Sequence, residues 1–220
     1  MTEPNQARRI EPRWPVVLTV LAVVCLLAVL PGRIRLLPIW LSYVVAIVVI
    51  VPMAAVVLTA AKVRWLRVER IVTLLFFVVV GVGTLTGLAY LLHAMVRRSE
   101  EISGLQLLTS SIAFWVTNVL MFSLLYWQID RGGPEARLNN ASTKPDWLFP
   151  QGGVPEDVPP DWRPTFVDYL FLGFTTATAF SPTDSMPLTS RAKMLMMCES
   201  TISLVTIVVV ASRAINILGR

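Results

Sequence analysis

The chain alternates between long runs free of Asp, Glu, Lys and Arg and short clusters of basic residues. The first four runs are Trp14–Gly32, Leu36–Ala61, Ile71–Val96 and Ile102–Ile129. A helix that crosses the roughly 30 Å hydrocarbon core of a bilayer needs about 20 such residues. With 55% hydrophobic and only 15% charged residues, against about 25% charged in a typical soluble domain, the chain reads as an all-α membrane protein. Five spanning helices are expected: Trp14–Leu30, closed by Pro31-Gly32; Pro38–Ala61, kinked at Pro52; Ile71–Val96; Leu105–Ile129; and Thr189–Leu218. The basic segment before Trp14 has no small-x-small cleavage site after the first run, so that run reads as a retained anchor. "KVRWLRVER" reads as the loop between the second and third helices. Within the third, Gly83-x-x-x-Gly87 permits close helix approach.

The net charge of +5 follows from lysine and arginine in loops that set membrane topology, with no nucleic-acid partner implied. Cys25 and Cys198 fall inside apolar runs, without CxxC spacing, and read as small buried hydrophobes rather than a disulfide or metal site. His93 stands alone. No nucleophile elbow, phosphate loop or HExxH pattern occurs, so neither an enzyme, a cofactor nor a metal is expected.

Residues 130–165 are rich in Pro and Gly and too polar to cross a bilayer. Trp147, Phe149 and Trp162 are expected to anchor this loop at the membrane interface. The apolar piece that follows, Phe166–Ala177, has about two-thirds of the length a span requires. It starts after Pro164, with Thr165 as N-cap and Asp168 suited to the helix dipole. The expected architecture is therefore five transmembrane helices plus one re-entrant half-helix before the last helix. Residues 1–104 would supply three N-terminal helices, and 105–220 a pore-like module. Asn118, central in the fourth helix, is expected to pair with another helix.

The order half-helix, polar segment, helix carries the chemistry. Exposed backbone at membrane depth survives only when protein or a water-filled cavity solvates it, and carbonyls and hydroxyls so placed can replace an ion's hydration shell. From Phe166 to Leu218 the chain resembles the pore module of the tetrameric potassium-channel superfamily. There a pore helix leads into T-V-G-Y-G-D-x-x-P-L-T and then an inner helix. Asp184 falls on the filter aspartate, Pro187-Leu188-Thr189 on P-L-T, and Glu199 where many two-helix channels carry an inner-helix glutamate. The C-terminal half also resembles a family of bacterial membrane proteins that carry close forms of "YWQIDRGGPEAR", "DWLFPQ" and "FVDYLFLGFTTATAFSPTDSMPLTSRAKM". That resemblance implies a multi-pass protein of the bacterial cytoplasmic membrane and no particular activity.

The departures from the channel pattern are chemical. Ala179-Phe180-Ser181-Pro182-Thr183 replaces T-V-G-Y-G, so both glycines that orient carbonyls toward an ion are gone. Pro182 also restricts Ser181. The resemblance therefore implies a pore without potassium selectivity. Such a pore would use the hydroxyls of Thr176, Thr178, Ser181 and Thr183, with Asp184 at its mouth and Phe180 as gate or core plug. One half-helix cannot surround a pore, so a homotetramer in the lipid bilayer is implied, with monovalent cations or a small solute as permeant species. The alternative is a non-conducting scaffold or partner-binding protein that retains the fold. Glu199 is either functional by virtue of its depth or paired with Arg191 or Lys193. Basic residues favour a cytoplasmic side for the amino terminus, residues 62–70 and the half-helix loop; potassium channels carry that loop outside, and the orientation stays open.

Overall fold

A computed structural model describes residues 11–32, 35, 38–59, 62–96, 104–139, 144–152, 156, 159, 162–180 and 184–218. Seven α-helices follow one another in the described chain: α1 Trp14–Val29, α2 Ile39–Leu58, α3 Val63–Val96, α4 Gly104–Ile129, α5 Pro134–Leu138, α6 Phe166–Ala179 and α7 Ser190–Leu218. Four of them, α2, α3, α4 and α7, are long and apolar enough to cross a membrane. The apolar α1 is shorter, with 16 residues, and Pro15 sits in its first turn, where a missing N–H costs nothing. The chain is thus a predominantly helical, multi-pass membrane protein by the length and composition of its helices.

The main departure from the expected boundaries is at α3. Its helix begins at Val63 rather than Ile71 and takes in most of the basic stretch read as a loop. At 34 residues it is about 51 Å long at 1.5 Å per residue, well beyond a hydrocarbon core of ~30 Å. Its first two turns carry the charges of that stretch, and they are stabilised by contacts made far along the chain. The helix α2 runs through Pro52 without interruption.

The central element is α4. Two-thirds of its apolar window is buried (67%), against 28–33% for α2, α3 and α7. Helices α1, α3, α6 and α7 pack against it and α2 packs on α1 and α3, so the peripheral helices keep broad apolar faces turned outward. Val16, Val20 and Val23 of α1, Phe76 and Val80 of α3, Leu172 of α6, and Ala192 and Met196 of α7 join α4 in one continuous core. Close approach of α3 and α4 depends on Gly87. A Cβ there would lie 2.4 Å from Cζ of Phe114, so the ring sits where any side chain would go. Cys25 and Cys198 are free thiols exposed on outward faces, not buried as the sequence suggests, because the apolar runs around them turn those faces outward.

The described part of the connection between α4 and α6 folds back into the bundle through its aromatic side chains. Trp147 is fully buried, packed against the Tyr126 ring at 4.7 Å between centroids, with its indole N–H directed at the Met196 sulfur, 3.3 Å away. Phe149 is buried against Tyr169, and Trp162, half-buried, packs on Phe149. These aromatic residues are core anchors of the loop. Trp147 and Phe149 are turned into the core rather than outward, while Trp162 keeps part of its surface exposed.

Candidate functional site: the half-helix and the polar clusters behind it

The start of α6 is set locally. The Asp168 carboxylate accepts from the backbone N–H of Thr165 at 2.7 Å and from its hydroxyl at 2.9 Å, the return half of a capping box. The chain then leaves the helix through Phe180, whose φ of 55° and ψ of 20° are left-handed. A non-glycine residue in that region costs about 1–2 kcal/mol.

A buried ion network fixes where α6 begins. Glu11 Oε1 accepts from the Trp127 indole N–H at 2.9 Å and from the Phe166 backbone N–H at 3.1 Å. Its Oε2 accepts from Arg137 at 3.2 Å. Arg13 donates to both oxygens of Glu69 (2.9 and 3.3 Å) and to Glu135 at 2.7 Å. The N-terminal end of α1, the start of α3, the end of α4, α5 and the start of α6 therefore meet at one end of the bundle. Buried charges survive only when paired and hydrogen-bonded, and these satisfy that condition.

A second clasp brings the far side of the half-helix segment back to the same end. Strand β1, Trp147–Leu148, pairs antiparallel with β2, Met186–Pro187, Trp147 opposite Pro187 and Leu148 opposite Met186. The Asp146 carboxylate takes the Thr189 hydroxyl at 2.6 Å and the Arg191 guanidinium at 2.5 Å. Asp130 ties this clasp to α4 and α6: it accepts from the Asp146 N–H at 2.7 Å and from the Tyr169 hydroxyl at 2.6 Å. The segment Asp146–Leu148 between α4 and α6 thus touches the residues leading into α7, with α6 looped between them.

The sequence-predicted site residues divide between the two faces of α6 and the segment after it. Thr176 is fully buried, and its hydroxyl has no hydrogen-bond partner among the described residues. Thr178 is exposed, and its hydroxyl donates to the Phe174 carbonyl of its own helix at 2.6 Å. Two residues apart on a helix, these hydroxyls do not share a face. The helix runs on through Ala179, two residues beyond the expected end, and Ala179, Phe180 and Asp184 are exposed. Ser181, Pro182 and Thr183 lie outside the described residues.

Glu199 is fully buried. Neither Arg191 nor Lys193 pairs with it: Arg191 goes to Asp146, and Lys193 is exposed. Its partner is instead Tyr126 of α4, whose hydroxyl donates to Oε2 at 2.5 Å. Asn118 pairs with another helix, donating its amide to the Glu199 backbone carbonyl at 3.1 Å. The contact with α6 is made at Gly173. A Cβ there would stand 2.5 Å from Ser123 Oγ, 3.2 Å from the Val119 carbonyl and 3.3 Å from Glu199 Oε1. Sequence reasoning had no hold on Tyr126, Ser123, Asp130 or Asp146, since each acts through a partner remote in the chain. Gly173 carried a weak signal as the glycine inside a short apolar helix, a residue type that marks close packing between membrane helices.

These features define a class: a multi-pass helical membrane protein in which a 14-residue helix is held between an inter-helix clasp and a buried carboxylate. No family model, curated protein or solved structure matches this chain.

Proposed function

We propose that this chain is one subunit of a channel-like assembly, a homotetramer in which α6 is a re-entrant half-helix and α7 the axis-lining helix. With α1 counted among the spans, the subunit has five transmembrane helices and one half-helix. The assembly passes monovalent cations or a small solute across a bacterial cytoplasmic membrane, without potassium selectivity. The observation that carries the reading is the β1–β2 clasp. At about 21 Å, α6 is too short to cross ~30 Å of hydrocarbon. The chain on either side of α6 is fastened to the same end of the bundle through Asp130, Asp146, Trp147 and Arg191. The outward faces of α6 and α7, with Phe171, Phe174, Met194 and Met197 exposed, supply the surface on which neighbouring subunits would pack.

In this reading Asp184 recurs around one mouth. A ring of carboxylates concentrates cations there. Asp184→Asn should lower cation flux into liposomes severalfold with the oligomer size unchanged, and neither form should prefer potassium over sodium, because Ser181 and Thr183 stand at the glycine positions. The second reading, a non-conducting scaffold, is favoured by the Thr178 hydroxyl, which bonds to its own helix rather than facing a pathway. It expects a wild-type protein that passes no tested ion, and an Asp184→Asn variant altered only in stability.

A further inference from the structure

Glu199 lies behind the half-helix with an incomplete set of partners. Its side chain is inaccessible to solvent, and among the described residues no Lys, Arg or His lies within ion-pair distance of it. One carboxylate oxygen has the Tyr126 hydroxyl; the other, Oε1, is buried and has no partner among the described residues. Two more buried oxygens without a partner among the described residues, Thr176 Oγ1 and Ser203 Oγ, are placed near it by helix spacing. Thr176 is one turn along α6 from Gly173, whose missing Cβ leaves the point 3.3 Å from Oε1. Ser203 is one turn along α7 from Glu199 on the same face. The Ser200 hydroxyl, donating to the Thr176 carbonyl at 3.3 Å, joins the two helices at this level.

An ionised carboxylate removed from water needs a positive charge beside it or a proton on it. Among the described residues, the titratable groups nearby are Tyr126 from α4 and Cys198, the preceding residue of α7; α6 brings Gly173 and, one turn on, Thr176, and none of these is a cation. We propose that Glu199 anchors a buried site for one univalent cation, a proton or a sodium ion, with the Thr176 and Ser203 hydroxyls as its neutral oxygen partners. A single carboxylate matches a single charge, whereas calcium and magnesium sites draw on more oxygens, several of them charged or water. The helices are close here: a Cβ on Gly173 would stand 2.5 Å from Ser123 Oγ. Occupancy would couple α6 to α7, since the partners come from both. The site stands whether or not the assembly conducts.

The test uses the purified full chain in detergent. Infrared spectra at neutral pH compare wild type with Glu199→Gln, and thermal unfolding is followed as sodium replaces potassium or choline at constant ionic strength. With a proton as occupant, the wild type shows a carboxylic-acid carbonyl band that Glu199→Gln lacks, and sodium has no specific effect. With sodium as occupant, that band is missing, and sodium raises the unfolding midpoint at concentrations at least tenfold lower than potassium does, an effect lost in Glu199→Gln. An ionised Glu199 with no sodium-specific stabilisation overturns the proposal. If Glu199→Gln does not fold, Tyr126→Phe and Thr176→Val keep the carboxyl group. Either should shift the acid band or weaken the sodium effect at least tenfold, and the absence of both changes also overturns it.

Discussion

Arg13→Ala should destabilise the folded protein by about 3–5 kcal/mol, the range for removing one partner of a buried pair. Arg13 is 4% exposed and joins three segments. It holds Glu69 of α3 by two hydrogen bonds, Glu135 of α5 by one, and the Glu11 carbonyl at 3.0 Å. Its guanidinium also lies over the Trp127 ring, 5.2 Å from the centroid. Alanine would leave Glu69, 2% exposed, with its charge buried and its Arg13 partner gone. Adding Glu69→Gln to Arg13→Ala should therefore recover part of the loss, a coupling that a double-mutant cycle in detergent measures directly. A loss below about 1 kcal/mol, the scale of an exposed ion pair, would show that this end of the bundle is not held by the network.

Gly173→Val should cost about 1–3 kcal/mol through overpacking and displace α6 from its seat. The valine Cβ would meet Ser123 Oγ at 2.5 Å. Ser123 cannot swing aside freely, because its hydroxyl donates to the Val119 carbonyl at 2.7 Å, and that carbonyl is itself 3.2 Å from the new Cβ. The Glu199 carboxylate closes the third side. Gly173→Ala is the informative control: its gain in helix propensity, about 1 kcal/mol, offsets part of the clash, so it should be the milder change. Ser123→Ala combined with Gly173→Ala should relieve the closest contact and restore stability, read as the midpoint of denaturant unfolding. Gly173→Val at wild-type stability would mean that α6 does not rest on α4 at this point.

What the sequence made legible follows the range of the interactions involved. Uncharged runs locate α1, α2 and α4 to within a few residues, and α7 is located as closely by its apolar length despite Arg191, Lys193, Glu199 and Arg213, because bilayer length and hydropathy act locally. Thr165 as the N-cap of α6 was legible for the same reason, while the Asp168 carboxylate that bonds back to it was read only as favourable to the helix dipole. The beginning of α3 was not. Lys62–Arg70 looks like a loop when its charges are imagined in water, but Glu69 meets Arg13, 56 residues earlier. Trp147 and Phe149 look like interfacial anchors because their neighbours are polar. What draws them inward is Asp130, which captures the Asp146 N–H and the Tyr169 hydroxyl, pairings no local pattern announces. The end of α6 was misjudged by two residues because its stop is Phe180 in the left-handed region, where a glycine would have given the signal. At Glu199 the residue was legible from its depth, and its partner was not: Tyr126 lies 73 residues away, while the basic residues nearer in sequence face elsewhere.

The central claim, that α6 enters and leaves the membrane on one side, is tested most directly by sidedness of labelling. Lys144 follows α4, Lys193 lies in the first turn of α7, and both side chains are exposed. Neither position contributes to the clasp, so Lys144→Cys and Lys193→Cys, placed singly in a Cys25→Ser, Cys198→Ser background, leave it intact. In sealed, oriented vesicles an impermeant thiol reagent should reach both cysteines from the same side, together with a Lys62→Cys control at the start of α3. Labelling of Lys144→Cys and Lys193→Cys from opposite sides would mean that α6 crosses the membrane, and would contradict the account.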